Sequence, residues 1–213
     1  MSPLNKLTAA PRIDARMAAY ATLAGVALAA PSMVKADIIY SGPVNIVIPA
    51  TTAGVYLNVA TGVSNVSPTL APGWDVNPYG STNLTLFNPT TPTGGVYQGS
   101  ASNFNLAPGT SVSSAGPFSN GLYGPVNLNS NNNYVGFRFQ NETAANQIQY
   151  GWFQINFGAT VTDRQIVGYA FENTGAPIAV GATAVPEPTT TALFGVMAAG
   201  ALGLRAWRKR KAA

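Results

Sequence analysis

The central part of this 213-residue chain is predicted to be all-β, an antiparallel β-sandwich or jelly-roll-like domain. Two observations predict this fold. Apolar residues alternate with polar or small residues in three segments, 134–140, 148–157 and 165–171, whereas helical periodicity is hard to find. Elsewhere Gly, Pro, Ser, Thr and Asn interrupt the chain at short intervals, which is typical of turns between short strands.

The three alternating segments predict neighbouring strands of an antiparallel meander. The connections 141–147 and 158–164 have ordinary loop lengths. The apolar faces are predicted to consist of Val135, Phe137 and Phe139 in the first strand; of Phe153, Ile155 and Phe157 in the second, with Ile148, Tyr150 and Trp152 on its opposite face; and of Val167, Tyr169 and Phe171 in the third.

The preceding part of the chain predicts shorter strands. Residues 38–40, 44–48, 55–59 and 83–87 are rich in β-branched and aromatic residues and are bounded by turn residues. Frequent prolines between about 60 and 130 predict long loops and edge strands, because proline cannot donate a ladder hydrogen bond.

Charge is concentrated at the two ends of the chain. Residues 1–36 carry a net charge of +3 and residues 186–213 one of +4, whereas residues 37–185 carry −3. The basic character therefore belongs to the ends and does not describe a folded face, so nucleic acid is not an expected partner. Since the chain has no Cys and no His, we expect no disulfide, no zinc or copper site and no cofactor.

Residues 1–36 have the three parts of a secretory signal peptide. A basic segment precedes an apolar run at 17–30, and the small residues that follow predict cleavage between Ala36 and Asp37. A buried N-terminal helix is the alternative, but Pro31 and the small-residue cleavage site favour export.

Residues 186–213 also have three parts, in a fixed order. The motif Pro186-Glu187-Pro188 comes first, and an apolar run then predicts a single transmembrane helix at about 189–207. A basic stop-transfer cluster follows, formed by Arg205, Arg208, Lys209, Arg210 and Lys211. The positive-inside rule keeps this cluster cytoplasmic, so residues 37–185 are predicted to form the exported domain. A permanent single-span anchor is the alternative.

The order of motif, apolar helix and basic cluster resembles the PEP-CTERM sorting signal of exported proteins in Gram-negative bacteria that make exopolysaccharide. The resemblance covers residues 185–211. It implies recognition and cleavage near the Pro-Glu-Pro motif by an exosortase, a transient anchor in the inner membrane, and delivery to the cell surface or extracellular matrix. Residues 134–139, 150–153 and 166–173 also resemble the C-terminal half of PEP-CTERM proteins with no assigned activity.

No catalytic residue is predicted. Without His the Ser-His-Asp relay cannot form, although a pair of carboxylates could still act in a glycosidase. The candidates are Glu142, Asp163 and Glu172, whose predicted places near strand ends and loops are typical of solvated carboxylates. Arg138 is predicted to form a surface ion pair with one of the three.

Aromatic residues in Asn-rich loops suggest polysaccharide binding. Trp74 and Tyr79 are the candidate glycan contacts, since Pro-Gly before Trp74 and Asp75 after it indicate an exposed loop. Tyr150, Trp152 and Tyr169 fit a sheet core equally well. We therefore expect a non-enzymatic, exported surface or biofilm-matrix protein with exosortase as its processing partner; the alternative is a carbohydrate-binding β-sandwich for exopolysaccharide.

Overall fold

The computed structural model describes residues 36–99, 103–119 and 124–184. In these ranges the chain forms antiparallel strands and two short 3-10 helices, Pro68–Leu70 and Glu142–Ala144, which confirms the predicted all-β class. The strands are β1 Ile38–Tyr40, β2 Ile46–Val47, β3 Tyr56–Leu57, β4 Ser64–Asn65, β5 Asn77–Tyr79, β6 Thr85–Phe87, β7 Tyr97–Gln98, β8 Ser111–Val112, β9 Phe118–Ser119, β10 Tyr134–Asn141, β11 Gln147–Phe157, β12 Arg164–Glu172 and β13 Ile178–Ala179.

The two flanking helices predicted from the sequence, in the signal peptide and at about 189–207, lie outside the described residues. Among the described residues, no helix has the length and apolar character needed to cross a membrane.

A seven-stranded sheet forms the centre of the fold, in the order β1-β12-β11-β10-β7-β9, with β2 also paired to β12. The predicted meander is the middle of this sheet. Strand β11 pairs with β10 from Gln147 to Gln154 and with β12 from Tyr150 to Phe157, so residues 150–154 are paired on both edges.

Both faces of the central sheet are buried, as the two-sided alternation predicts. One face carries Val135, Phe137 and Phe139 of β10 with Phe153, Ile155 and Phe157 of β11. The other face carries Tyr150 and Trp152, with Ile148 partly buried beside them. The ring centroids of Phe137 and Phe153 lie 5.9 Å apart, a distance typical of aromatic pairs in protein cores.

The prediction for the third strand is wrong at one position. Tyr169 and Phe171 are buried on the expected face, but Val167 is only half-buried and Ile166 takes its place in the core. The pairing of β11 with β12 passes from Gln154↔Gly168 to Ile155↔Ile166, so Val167 is an extra residue of β12 that has no partner in the register. Such a β-bulge changes the parity of the residues beyond it, which strict alternation cannot anticipate.

Shorter strands cover the two faces of the central sheet. The pairs β3–β4 and β5–β6 lie next to each other through the bridge Leu57↔Val76. Leu57, Val76 and Leu86 share one buried cluster with Phe137, so this layer packs against the first face. The pair β8–β13 contributes Val112 and Ile178 to the cluster on the opposite face. Packing sheet against sheet in this way is compatible with the predicted sandwich.

Gly151, at the middle of β11, gives a direct test of this packing. A Cβ built on Gly151 would lie 2.5 Å from Cζ of Phe137 and 2.6 Å from the carbonyl oxygen of Ala170. We expect Gly151→Ala to lower the free energy of unfolding by about 1–3 kcal/mol, because the backbone oxygen cannot move aside.

Gly168→Ala is the matched control for Gly151→Ala. Its Cβ would first meet the Tyr40 hydroxyl, at 3.2 Å, at the end of an exposed side chain. Thermal melts of both variants check the prediction, and equal losses of Tm would contradict it.

Candidate functional site

Four aromatic side chains form a continuous cluster on the outer side of the β3–β6 layer. We call Tyr56, Trp74, Tyr79 and Phe87 the aromatic platform. The ring centroids of Trp74 and Tyr56 lie 5.0 Å apart, and those of Trp74 and Phe87 lie 5.8 Å apart with ring planes inclined by 24°. The Tyr79 ring meets Phe87 edge-on at 6.3 Å. The structure therefore brings both candidate glycan contacts, Trp74 and Tyr79, next to the same ring, that of Phe87.

The alternation of side chains along β3 and β6 explains why the Tyr56 and Phe87 rings point outward. Leu57 and Leu86 are buried against the central sheet, so their chain neighbours Tyr56 and Phe87 must project to the opposite side. Phe87 is 49% exposed, and the other three rings are half-buried. Trp74 follows Gly73, whose φ of +66° lies in the left-handed region that favours glycine and turns the chain before β5.

Tyr56 and Phe87 are platform residues that the sequence-based prediction missed. Both lie within predicted strands, 55–59 and 83–87, where alternation with Leu57 and Leu86 could have marked them as outward-facing. Other aromatic candidates serve the core: Tyr150, Trp152 and Tyr169 are buried on the central sheet.

The buried Tyr97 hydroxyl ties the platform strands to the central sheet. It donates to the carbonyl oxygen of Phe87 at 2.5 Å and accepts from the backbone N–H of Asn77 at 3.2 Å. These contacts join β6 and β5 to β7, which pairs with β10. Burial raises the pKa of Tyr97, so the hydroxyl remains a hydrogen-bond donor at physiological pH.

A buried carboxyl group lies beneath the loop that carries Trp74. Oδ2 of Asp75 accepts a 2.7 Å hydrogen bond from the backbone N–H of Val59. Burial raises the pKa of Asp75 from 3.8 to about 8, with a smaller contribution in the same direction from the Glu142 carboxylate. Asp75 is therefore largely protonated at neutral pH in the folded state.

Two of the three predicted carboxylate candidates, Glu142 and Asp163, lie at opposite ends of the meander. Glu142 follows β10 at one end of the meander, whereas Asp163 precedes β12 at the other. The 11 residues of β11 separate these ends by roughly 36 Å, since a strand rises about 3.3 Å per residue. The carboxyl groups of glycosidases lie only about 5–10 Å apart.

Glu172 is not solvated, contrary to the prediction. It is 2% exposed, and its carboxylate accepts hydrogen bonds from Thr174 N–H, at 3.0 Å, and from Ala176 N–H, at 2.5 Å. The side chain therefore closes the turn that follows β12. No group of three or more Asp, Glu, His or Cys side chains that could hold a metal ion occurs among the described residues.

Arg138 makes contacts other than the predicted ion pair. Its Nε donates to the carbonyl oxygen of Gly95 at 2.8 Å and its Nη2 to that of Thr93 at 3.1 Å. The guanidinium carbon lies 4.5 Å from the centroid of the Phe118 ring. Arg138 therefore links β10 to the segment before β7 through two carbonyl contacts and to β9 through a cation–π contact.

The predicted processing residues lie at or beyond the borders of the described chain. Asp37, predicted to follow the signal cleavage site, donates through its N–H to Oδ1 of Asn173 at 3.0 Å. At the other end, Ala182 accepts a 3.1 Å hydrogen bond from Nε1 of Trp152. Pro186, Glu187, Pro188 and the basic stop-transfer cluster lie outside the described residues.

The raised pKa of Asp75 predicts a dependence of stability on pH. The folded state holds this proton up to about pH 8, whereas the unfolded chain releases it near 3.8. Stability should therefore fall as the pH rises from about 4 to about 8 and level off above that range. Asp75→Asn keeps an oxygen acceptor for Val59 and removes the titration, so we expect a higher Tm at pH 8 and little change at pH 4.

Thermal melts from pH 4 to pH 9 check this expectation. Asp163→Asn is the control, because Asp163 is exposed. An unchanged pH profile in Asp75→Asn would show that Asp75 does not hold the proton.

Comparison with protein families identifies the end of the chain. Residues 184–211 match the PEP-CTERM protein-sorting motif. Comparison with curated proteins and with solved structures gave no match. The matched residues begin two positions after Ala182, whose carbonyl oxygen accepts the hydrogen bond from Trp152. The chain therefore carries a PEP-CTERM sorting motif at residues 184–211, the kind of signal that an exosortase recognises.

Proposed function

We propose that this protein is an exported component of the cell surface or biofilm matrix of a Gram-negative bacterium that makes exopolysaccharide. The sorting motif at residues 184–211 is the observation that carries the proposal. In this proposal the signal peptide directs export, the apolar run holds the protein transiently in the inner membrane, and exosortase cleaves near Pro186-Glu187-Pro188. The domain from Asp37 to Val185 is then delivered outside the cell.

Substitution of both prolines of the motif tests the sorting proposal. Proline keeps the peptide extended and outside the apolar helix, so we expect Pro186→Ala combined with Pro188→Ala to block cleavage. In a host that carries an exosortase, mass spectrometry of the wild-type surface protein should show that the basic tail is missing. The double variant should keep that tail and stay in the membrane fraction.

Pro108→Ala, a substitution at an exposed proline of the folded domain, is the control and should be processed like the wild type. An intact C-terminal tail on wild-type protein purified from the cell surface would contradict the proposal.

We further propose that the mature domain acts by binding carbohydrate and has no catalytic activity. The aromatic platform favours this function, because flat apolar rings can pack against the C–H faces of sugar rings. Phe87 is exposed on β6, which pairs with β5, and Trp74 is half-buried beside it in the turn before β5. The distance between Glu142 and Asp163 along the meander, and the contacts of Glu172 with backbone amides, support the absence of a carboxylate pair.

Loss of the central rings tests the binding proposal. We expect Trp74→Ala and Phe87→Ala to weaken binding of the processed protein to exopolysaccharide by at least about ten-fold, equivalent to about 1.4 kcal/mol. Tyr40→Ala is the control, since Tyr40 is an exposed ring next to Trp152, on the central sheet and outside the platform. A glycan array measures the effect once thermal melts have shown that each variant folds. Absence of binding at millimolar sugar would argue against a carbohydrate-binding role.

A further inference from the structure

The exported domain has very few cationic side chains. Residues 37–185 contain no Lys and no His, and their cationic side chains are Arg138 and Arg164. Recognition of acidic sugars normally relies on Lys or Arg, because a guanidinium or ammonium group pairs directly with a carboxylate or phosphate. Whether these two arginines are free to contact a ligand therefore decides which glycans the domain can accept.

Both arginines are committed to the fold. Arg138 donates to the carbonyl oxygens of Gly95 and Thr93 and lies over Phe118. Arg164 is 3% exposed, and its Nη2 donates to the carbonyl oxygen of Gly80 at 2.5 Å. Nε and Nη1 of Arg164 are buried from solvent. A glycan on the surface cannot reach these Arg164 atoms, whereas Arg138 is half-buried and its Nε and Nη2 donate to the two carbonyl oxygens.

The exposed charged side chains of the domain are acidic. Asp37, Glu142 and Asp163 are exposed, whereas Arg164 is buried and Arg138 half-buried. Cleavage after Ala36 would add an amino terminus at Asp37, next to that residue's own carboxylate and hydrogen-bonded to Asn173. The surface is therefore unfavourable for polyanions.

One of the acidic side chains reaches the loop of the aromatic platform. A Cβ built on Gly73 would lie 2.5 Å from Oε1 of Glu142, and Gly73 directly precedes Trp74. A carboxylate at this place can accept hydrogen bonds from sugar hydroxyls or from a protonated amine. It would repel the carboxylate of a uronic acid.

From these contacts we infer that the aromatic platform binds a polysaccharide without acidic groups and rejects acidic polysaccharides. The inference rests on the carbohydrate-binding function proposed above and assigns its ligand class. Stacking on Trp74 and Phe87 supplies the attraction, and Glu142 with the acidic surface supplies the discrimination.

Polymers that differ in charge test the inference. The processed protein is titrated with a neutral glucan, a partly deacetylated poly-N-acetylglucosamine and a polyuronate, at low and high salt. We expect binding to the neutral or the amine-bearing polymer to be at least about ten-fold tighter than to the polyuronate. Binding to the neutral polymer should be insensitive to salt, whereas binding to the amine-bearing polymer should weaken with salt and in Glu142→Gln.

The outcomes separate this inference from the function on which it rests. Binding of the polyuronate as tight as that of the uncharged polymer, or tighter, overturns the ligand class and leaves carbohydrate binding intact. Absence of binding to every polymer overturns the carbohydrate-binding function itself. If Trp74→Ala loses binding of the neutral polymer and Tyr40→Ala retains it, the polymer binds on the aromatic platform.

Discussion

The pairing of β11 along both of its edges is the constraint on which the rest of the fold depends. This strand is hydrogen-bonded to β10 and β12, and its side chains enter a buried cluster on each face of the sheet. Gly151 lies where the Phe137 ring and the Ala170 carbonyl leave no room for a side chain. With no disulfide in the chain, packing on the two faces of the meander must supply most of the stability of the exported domain.

The aromatic platform is a consequence of that packing. Leu57 and Leu86 turn inward to cover the central sheet, which leaves the neighbouring rings of Tyr56 and Phe87 on the outside. The Tyr97 hydroxyl connects the same layer to β7 by contacts with Phe87 and Asn77. The rings are therefore presented by a layer that is anchored to the core, which lowers the entropy lost when a ligand binds. Asp75 is buried beneath the loop that carries Trp74. Folding therefore becomes less favourable as the pH rises, because the buried carboxyl group resists ionisation.

The charged residues are distributed unevenly along the chain: the two end segments are basic, and the domain between them is acidic. Both arginines of the domain, Arg138 and Arg164, donate to backbone carbonyls and so act as structural donors. The remaining cationic residues belong to the two end segments, the predicted signal peptide and the matched PEP-CTERM motif. A basic isoelectric point of about 9.5 therefore describes the whole chain, whereas residues 37–185 carry a net negative charge.

Local sequence determined the strands of the meander, the two faces of β10 and β11, and the sorting signal, because each depends on residues close together in the chain. Alternation with a period of two is a local property, and so is the order of motif, apolar run and basic cluster. Only the tertiary structure decided the remaining features. The bulge in β12 places Ile166 in the core instead of Val167, and the turn after β12 encloses the Glu172 carboxylate. Burial raises the pKa of Asp75. The platform joins residues from β3, β5, β6 and the turn before β5, and such contacts depend on which strands meet in space.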